Sequence, residues 1–347
     1  TGGSTGSTGG GGAAPTEACP SETVPPPPEG DPGGDQDRIF GLRRYDIGDL
    51  IPGYVPGLDL DGVCSGCAES ALGCAARGVV CTPPPFANAH DAPDFGAGVD
   101  NVLLPILTII GSPKKSVELE SEAFAGSGTL GIRLWDYNGG DDDPEVKVAL
   151  MVLGPRVSPP PPASGTFDGS ETWAVNELSV LTSATEPRFV SSTAYVTGGI
   201  LVAHIEPTLN LGAALPFPIP LRNGLLRAEI VKSVGYVALR RGVLAGFLTT
   251  DDIFDALSVM SGSNDDLCIG SVFYDVVKST LCCAADVTTN APGDLCNAVS
   301  VGLEFEADAI KLSGDITPFS YPSSACEPEY DPKNDSCDDV NGSTCGT

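Results

Sequence analysis

The chain has 347 residues, with 46 acidic side chains against 18 basic ones and a formal net charge of −28. Such a charge repels nucleic-acid phosphates and anionic lipid headgroups alike, and no run of about 18 apolar residues exists to make a membrane-spanning helix. Apolar residues still make up 41% of the chain, enough for a packed core, so global disorder is excluded as well.

Residues 1–37 hold ten glycines, seven prolines, six acids and no base. Their Gly/Ser/Thr start is a flexible coil, and Pro25 to Pro28 favour polyproline II, so this part reads as a disordered tether. The chain opens on Thr1 rather than Met, and removal of a leader is the expectation.

The folded body is expected over residues 38–315. Val102, Leu103, Ile106, Leu107 and Ile110 repeat at helical spacing, which predicts a helix over Val99–Ile110. Strand patterns follow. Leu130, Ile132 and Leu134 alternate within Thr129–Trp135. A turn rich in Asn, Gly and Asp spans Tyr137–Pro144, and Val146–Leu153 is the returning strand of a hairpin. Further strands are predicted at Glu171–Val175, Arg188–Tyr195, Ile200–Ile205, Leu225–Val231, Tyr236–Arg240 and Val243–Leu248. Gly198-Gly199 and Arg241-Gly242 serve as turn-like spacers. Thr249 and Asp252 form a capping box, before Ile253, Leu257 and Met260 at helical spacing. Val272, Val276, Val277 and Leu281 mark a second helix, and Ser300–Ile310 the last strand. The fold class is mainly β, a β-sandwich or jelly-roll-like body with helices inserted on its C-terminal side and stapled by disulfides. Residues 316–347 form an acidic, Cys-containing tail.

Twelve cysteines in an acidic, Gly/Pro-rich chain fit disulfides made in an oxidising, extracytoplasmic compartment. Cys64, Cys67, Cys74 and Cys81 read as two disulfides stapling a loop. Zinc-cluster spacing is present, but of the bases such DNA-binding modules need, only Arg77 lies between these cysteines. Cys268, Cys282, Cys283 and Cys296 form a second cluster. Vicinal cysteines strain a mutual bond, so Cys282 and Cys283 are expected to reach apart, one to Cys268 and one to Cys296. Cys326 and Cys337 lie in the tail, where Cys19 could find a partner.

Oxygen-rich turns offer sites for structural calcium. Asp59 and Asp61 stand in the register of a calcium loop, without the remaining ligands of an EF-hand. Asp100 and Asn101 could close the same site in space. Asp136, Asn138, Asp141, Asp142 and Asp143 make another such loop. Asp, Asn and Gly also simply favour turns.

Catalytic patterns are weak. Gly126-Ser-Gly-Thr-Leu-Gly131 matches a dinucleotide fingerprint, but a strand follows it where that motif needs a helix. Gly2-Gly-Ser-Thr-Gly6 matches a nucleophile elbow inside the tether. Only His90 and His204 could serve as an imidazole base, and His204 is expected partly buried in its strand. Trp135, Tyr137 and Trp173 could form a sugar-stacking platform or pack in the core.

The order of motifs carries a resemblance. Asp59-Leu-Asp-Gly62 and a cysteine loop precede Gly98-Val-Asp-Asn101 and its apolar helix. Leu134-Trp-Asp-Tyr-Asn-Gly139, Asp142-Asp-Pro-Glu-Val146 and Thr172-Trp173 come next. Ala194-Tyr-Val-Thr-Gly-Gly199, Cys296-Asn-Ala-Val-Ser300 and Leu303-Glu-Phe305 close the series. Over residues 56–312 this resembles an uncharacterised family of secreted, lipid-anchored surface proteins of myxobacteria. The resemblance implies an exported surface or periplasmic protein, with a lipid anchor upstream of Thr1, and supplies no catalytic residues. The favoured expectation is a non-catalytic exported module that binds a surface ligand, a glycan or a protein. One alternative is an extracellular glycoside hydrolase working through two carboxylates. Another is a structural subunit of a surface assembly.

Overall fold

The computed structural model describes residues 24–50, 56–60, 101–103, 115–158, 167–211, 215–262, 264–291 and 294–340. The strands in these segments are β1 (Gln36–Asp46), β2 (Thr129–Tyr137), β3 (Lys147–Ser158), β4 (Thr172–Asn176), β5 (Phe189–Val190), β6 (Thr193–Thr197), β7 (Ile200–His204), β8 (Thr208–Leu211), β9 (Leu215–Pro220), β10 (Arg222–Ser233), β11 (Tyr236–Thr249), β12 (Ala298–Ala309) and β13 (Lys311–Thr317). The helices are α1 (Lys115–Ala125), α2 (Thr250–Ser261) and α3 (Val272–Cys283). The protein is mainly β, as its alternating segments predict, and α2 and α3 sit between the last strands.

Alternation sorts side chains onto two faces. Leu130, Ile132 and Leu134 of β2 face the same way as their β3 partners Val152, Leu150 and Val148. Phe40 of β1 joins that row opposite Ile132. On the far side Leu226, Leu244 and Leu303 line up across β10, β11 and β12, with Ala203 of β7 beside Leu226. All of these are buried in one core.

Among the described residues one sheet of eleven strands runs β13-β4-β3-β2-β1-β12-β11-β10-β7-β6, with β5 against β3. This sheet curls until β6, at one end, meets the start of β3. Asp143 and Val196 form an antiparallel bridge. Val146 N donates to Ala194 O at 3.0 Å, and Ser191 N donates to Val148 O at 2.7 Å. Around the circle the order is β1, β2, β3, β6, β7, β10, β11, β12, with antiparallel pairing throughout. The layers expected of a sandwich are thus two halves of a single up-and-down barrel, whose interior side chains fill it.

The two ends of the barrel differ. One carries the Gly198-Gly199 turn, the Val234-Gly235 turn and the loop from Asn138 to Val146. The other carries the longer insertions: α1 between β1 and β2, β4 and β5 between β3 and β6, the β8–β9 hairpin between β7 and β10, and α2 with α3 between β11 and β12. There α2 packs on β9 and β11. Its capping box forms as predicted, Thr249 and Asp252 each accepting from the other's backbone N–H.

Several elements depart from the sequence reading. Tyr236–Arg240 and Val243–Leu248 are one strand, β11. Arg241-Gly242 is a bulge within it, and the pairing with β12 slips between Leu239 and Gly242. A Cβ on Gly242 would lie 2.3 Å from the Phe305 ring, so glycine is what lets that ring fold over the strand. Arg188–Tyr195 divides into β5 and β6 at Ser191 and Ser192, next to where β5 pairs with Ala149 and Leu150 near the start of β3. Helix α1 was not predicted: its buried stripe is only Ser116, Leu119 and Ala123, too narrow to stand out. Of the helix expected over Val99–Ile110, most lies outside the described residues.

The cysteine pairing also differs. Cys268 bonds Cys326, and Cys282 bonds Cys337. Cys283 and Cys296 are disulfide-bonded too. Cys268 was expected to reach Cys282 or Cys283, but α3 intervenes. Eleven residues of helix advance about 16 Å at 1.5 Å per residue, whereas bridged Cα atoms sit about 5.5 Å apart. The tail closes that distance from outside, so residues 318–340 lie against α2 and α3 rather than extending into solvent. Cys19, Cys64, Cys67, Cys74, Cys81 and Cys345 lie outside the described residues.

Candidate functional site at the short-turn end of the barrel

Two cavities stand out among the described residues. The larger, about 700 Å³, is an open groove on the outer surface, bordered by Glu177, Leu181, Arg188 and Ile316. Its charged groups already have partners. Arg188 donates to Val180 O at 3.0 Å, and Glu177 accepts from Phe319 N at 2.6 Å. The smaller, about 160 Å³, lies at the short-turn end of the barrel. Its floor is the top layer of the core: Phe40, Leu134, Ile230 and Val237. Its rim is Gln36, Arg38, Tyr137, Gly139 and Lys232. Barrel mouths of this kind, with an apolar body and a few convergent polar groups, are common ligand sites.

The local backbone explains the rim. β1 carries Gln36 and Arg38 beside the end of β2, where the register slips between these two residues. Arg38 Nε and Nη2 donate to Gln36 Oε1 at 3.3 and 3.1 Å. Lys232 Nζ donates to Gly139 O at 3.0 Å, Gly140 O at 2.8 Å and Asp141 Oδ1 at 2.8 Å. Its three hydrogens are thereby used. Burial works against its charge, yet donation to Asp141 holds its pKa above the ordinary value. Lys232 is therefore a clip fastening the β2–β3 loop across the mouth. Tyr137 packs beneath, its hydroxyl donating to Gly140 O.

The residues proposed as calcium ligands in that loop are engaged with protein groups. Asp143 is wholly buried, and its carboxylate accepts from Gly33 N at 3.0 Å, Asn138 N at 2.8 Å and Glu145 N at 3.3 Å. Asp136 pairs with Lys147 at 2.9 Å, and Asp141 pairs with Lys232. Asn138 Oδ1 accepts from Gly140 N at 2.6 Å, and Asp142 Oδ1 accepts from Gly198 N at 2.8 Å. The loop's oxygens face backbone N–H groups and lysines instead of converging on one point. Asn101 is also fully buried, and its amide donates to Pro56 O at 2.6 Å and Gly302 O at 2.9 Å, pinning the Pro56–Leu60 segment over β12. Asp59 makes an interaction of its own. Asp61 and Asp100 lie outside the described residues. Among the described residues no three His, Cys, Asp or Glu side chains are grouped to hold a metal ion.

The aromatic platform does not form. Trp173 is fully buried, edge-on to Phe167, and Tyr137 is buried beneath the loop. Trp135 lies on the outer face under the Arg133 guanidinium. His204 ends β7 and is exposed, correcting the expectation of a partly buried sheet residue: it is the last residue of its strand, past the covered stretch. His90 lies outside the described residues. Gly126 directly follows α1 and Gly131 lies within β2, so helix precedes strand, the reverse of a dinucleotide fingerprint.

Outside the barrel a second polar cluster joins three strands. Asp308 of β12 is fully buried. It lies 2.7 Å from Arg43 Nε of β1 and 2.6 Å from Arg240 Nη2 of β11, and it accepts from Tyr236 Oη at 2.6 Å. Glu306 completes the cluster with Arg43, Arg44 and Arg240. Its charges lie against one another, and it fastens β1, β12 and β11 together.

Sequence reasoning missed Arg38 and Gln36 because β1 was not recognised as a strand. Apolar residues at 40 and 42 alternate there, but Asp37, Arg38, Arg43 and Arg44 flank them closely and blur the period. Compared with protein-family models, curated proteins and solved structures, the chain matches none.

Proposed function

We propose that this chain is an exported, non-catalytic binding module whose ligand site is the short-turn end of its β-barrel. The observation that carries this reading is the cavity of about 160 Å³ above a filled core, with polar groups gathered on its rim. The Cys268–Cys326 and Cys282–Cys337 bridges support an oxidising compartment, and a surface or periplasmic location follows from the exported reading. A glycoside hydrolase needs two carboxylates facing each other across a cleft. Among the described residues neither cavity is lined by such a pair.

The test is a ligand-observed NMR screen of small molecules against the full chain and against Val237→Trp. Val237 is half-buried on the cavity floor, so the larger ring fills the space without entering the deep core. Binders of the wild type that are lost in Val237→Trp are the expected result. Binders that survive the filling, or a screen without binders, would refute the site.

A further inference from the structure

We propose that the barrel mouth binds a small aryl or alkyl monocarboxylate, with Arg38 receiving the carboxylate. The proposal rests on the reading of the mouth as a binding site and names the class of ligand. Size is the first argument. The cavity holds about 160 Å³, close to the roughly 150 Å³ engineered protein cavity that admits benzene. A single ring or a short alkyl chain fits, while an oligosaccharide does not. Polarity is the second. The floor of Phe40, Leu134, Ile230 and Val237 offers no hydrogen-bonding side chain, so the body of the ligand is apolar.

Charge is the third argument. Of the two cations on the rim, Lys232 has all its hydrogens committed to the loop. Arg38 gives only Nε and one Nη2 hydrogen to a neutral amide, Gln36. Among the described residues both hydrogens of Nη1 and the other of Nη2 stay available, and Nη1 with Nη2 makes the edge that receives a carboxylate through two parallel bonds. Arg43, Arg44, Arg133, Arg222, Arg240 and Arg241 each pair with a carboxylate of the chain. Arg38 pairs with none among the described residues, although acids outnumber bases 46 to 18. Gln36 holds the guanidinium at the rim, so less side-chain freedom is lost on binding. One guanidinium balances one negative charge, which selects a monoanion.

The experiment compares benzoate with benzyl alcohol, its neutral counterpart of similar shape, by calorimetric or NMR titration of the full chain. Benzoate is expected to bind about tenfold or more tightly than benzyl alcohol, the gain typical of a charge-assisted hydrogen bond. Arg38→Gln is expected to abolish that preference while leaving benzyl alcohol binding and the thermal midpoint unchanged, because Arg38 is exposed. Equal affinities in the wild type, or a preference that survives Arg38→Gln, would overturn the carboxylate assignment and leave the mouth as a site for neutral ligands. Absence of binding by both probes, or binding that persists in Val237→Trp, would overturn the site together with the proposal.

Discussion

Lys278 of α3 reaches Asp335 of the tail, its Nζ lying 2.8 Å from Oδ1 and 2.9 Å from Oδ2. Tyr274, one helical turn earlier, donates to the same carboxylate at 2.7 Å. Lys278 is itself buried. A segment with no apolar periodicity is thereby locked to a helix by a lysine that pairs with both Asp335 and Asp339, one phenol and the neighbouring disulfides.

That carboxylate gives the tail an acid sensitivity. Burial works to raise the Asp335 pKa, but donation from Lys278 and Tyr274 outweighs it and holds the value below the ordinary one. A carboxyl with a lowered folded pKa adds stability above its unfolded value of about 3.9, and that stability is lost as pH falls through the folded value. Asp252 beside Arg222 and Asp331 beside Lys333 shift in the same direction. Denaturant midpoints measured from pH 7 downward should hold until about pH 4 and then fall. Lys278→Met should flatten that fall. An unchanged acid limb would show that the pair does not govern it.

The cluster around Asp308 should be costly to break. Asp308→Asn leaves Arg43 and Arg240 half-compensated against the sheet. Removing one partner of a buried charge network typically costs about 3–5 kcal/mol. Urea unfolding should show a loss of that order with an unchanged m-value. A loss under about 1 kcal/mol would mean that the arginines find water instead.

Cys282 and Cys337 close a loop with a sequence separation of 55. The chain-entropy relation gives about 4 kcal/mol for a loop of that length. The double substitution Cys282→Ser with Cys337→Ser should lower stability by up to about that amount, with no unpaired thiol introduced. Limited proteolysis is expected to cut first in residues 327–340. A tail that stays resistant would show that Lys278 and Tyr274 suffice.

Gly242→Ala should force the Phe305 ring aside, since the new Cβ would lie 2.3 Å from it. Overpacking of this kind costs about 1–3 kcal/mol. Adding Phe305→Leu should recover part of the loss, and a thermal-denaturation double-mutant cycle reads the coupling. Strictly additive effects would count against the contact.

The sequence by itself determined the acidic balance, the mainly β class, the β2–β3 hairpin and the start of α2. These are local properties: charge is a count, alternation of period two sorts faces, and a capping box spans four residues. Only the tertiary structure decided which strands are neighbours. The β1–β12 pairing joins Phe40 to Ala309, and the Asp143–Val196 bridge closes the barrel. Alternation says which side chains face inward, but every inward-facing strand offers much the same row of Leu, Val and Ala to any other. Register and closure are settled by bulges, turn geometry and the fit of one shared core. The pairing of Cys268 with Cys326 depends on where the tail returns to the helices, and the meeting of Gln36, Arg38 and Lys232 at one rim depends on that closure. Neither leaves a trace in local spacing, because their partners are brought together by the path of the sheet rather than by neighbouring residues in the chain.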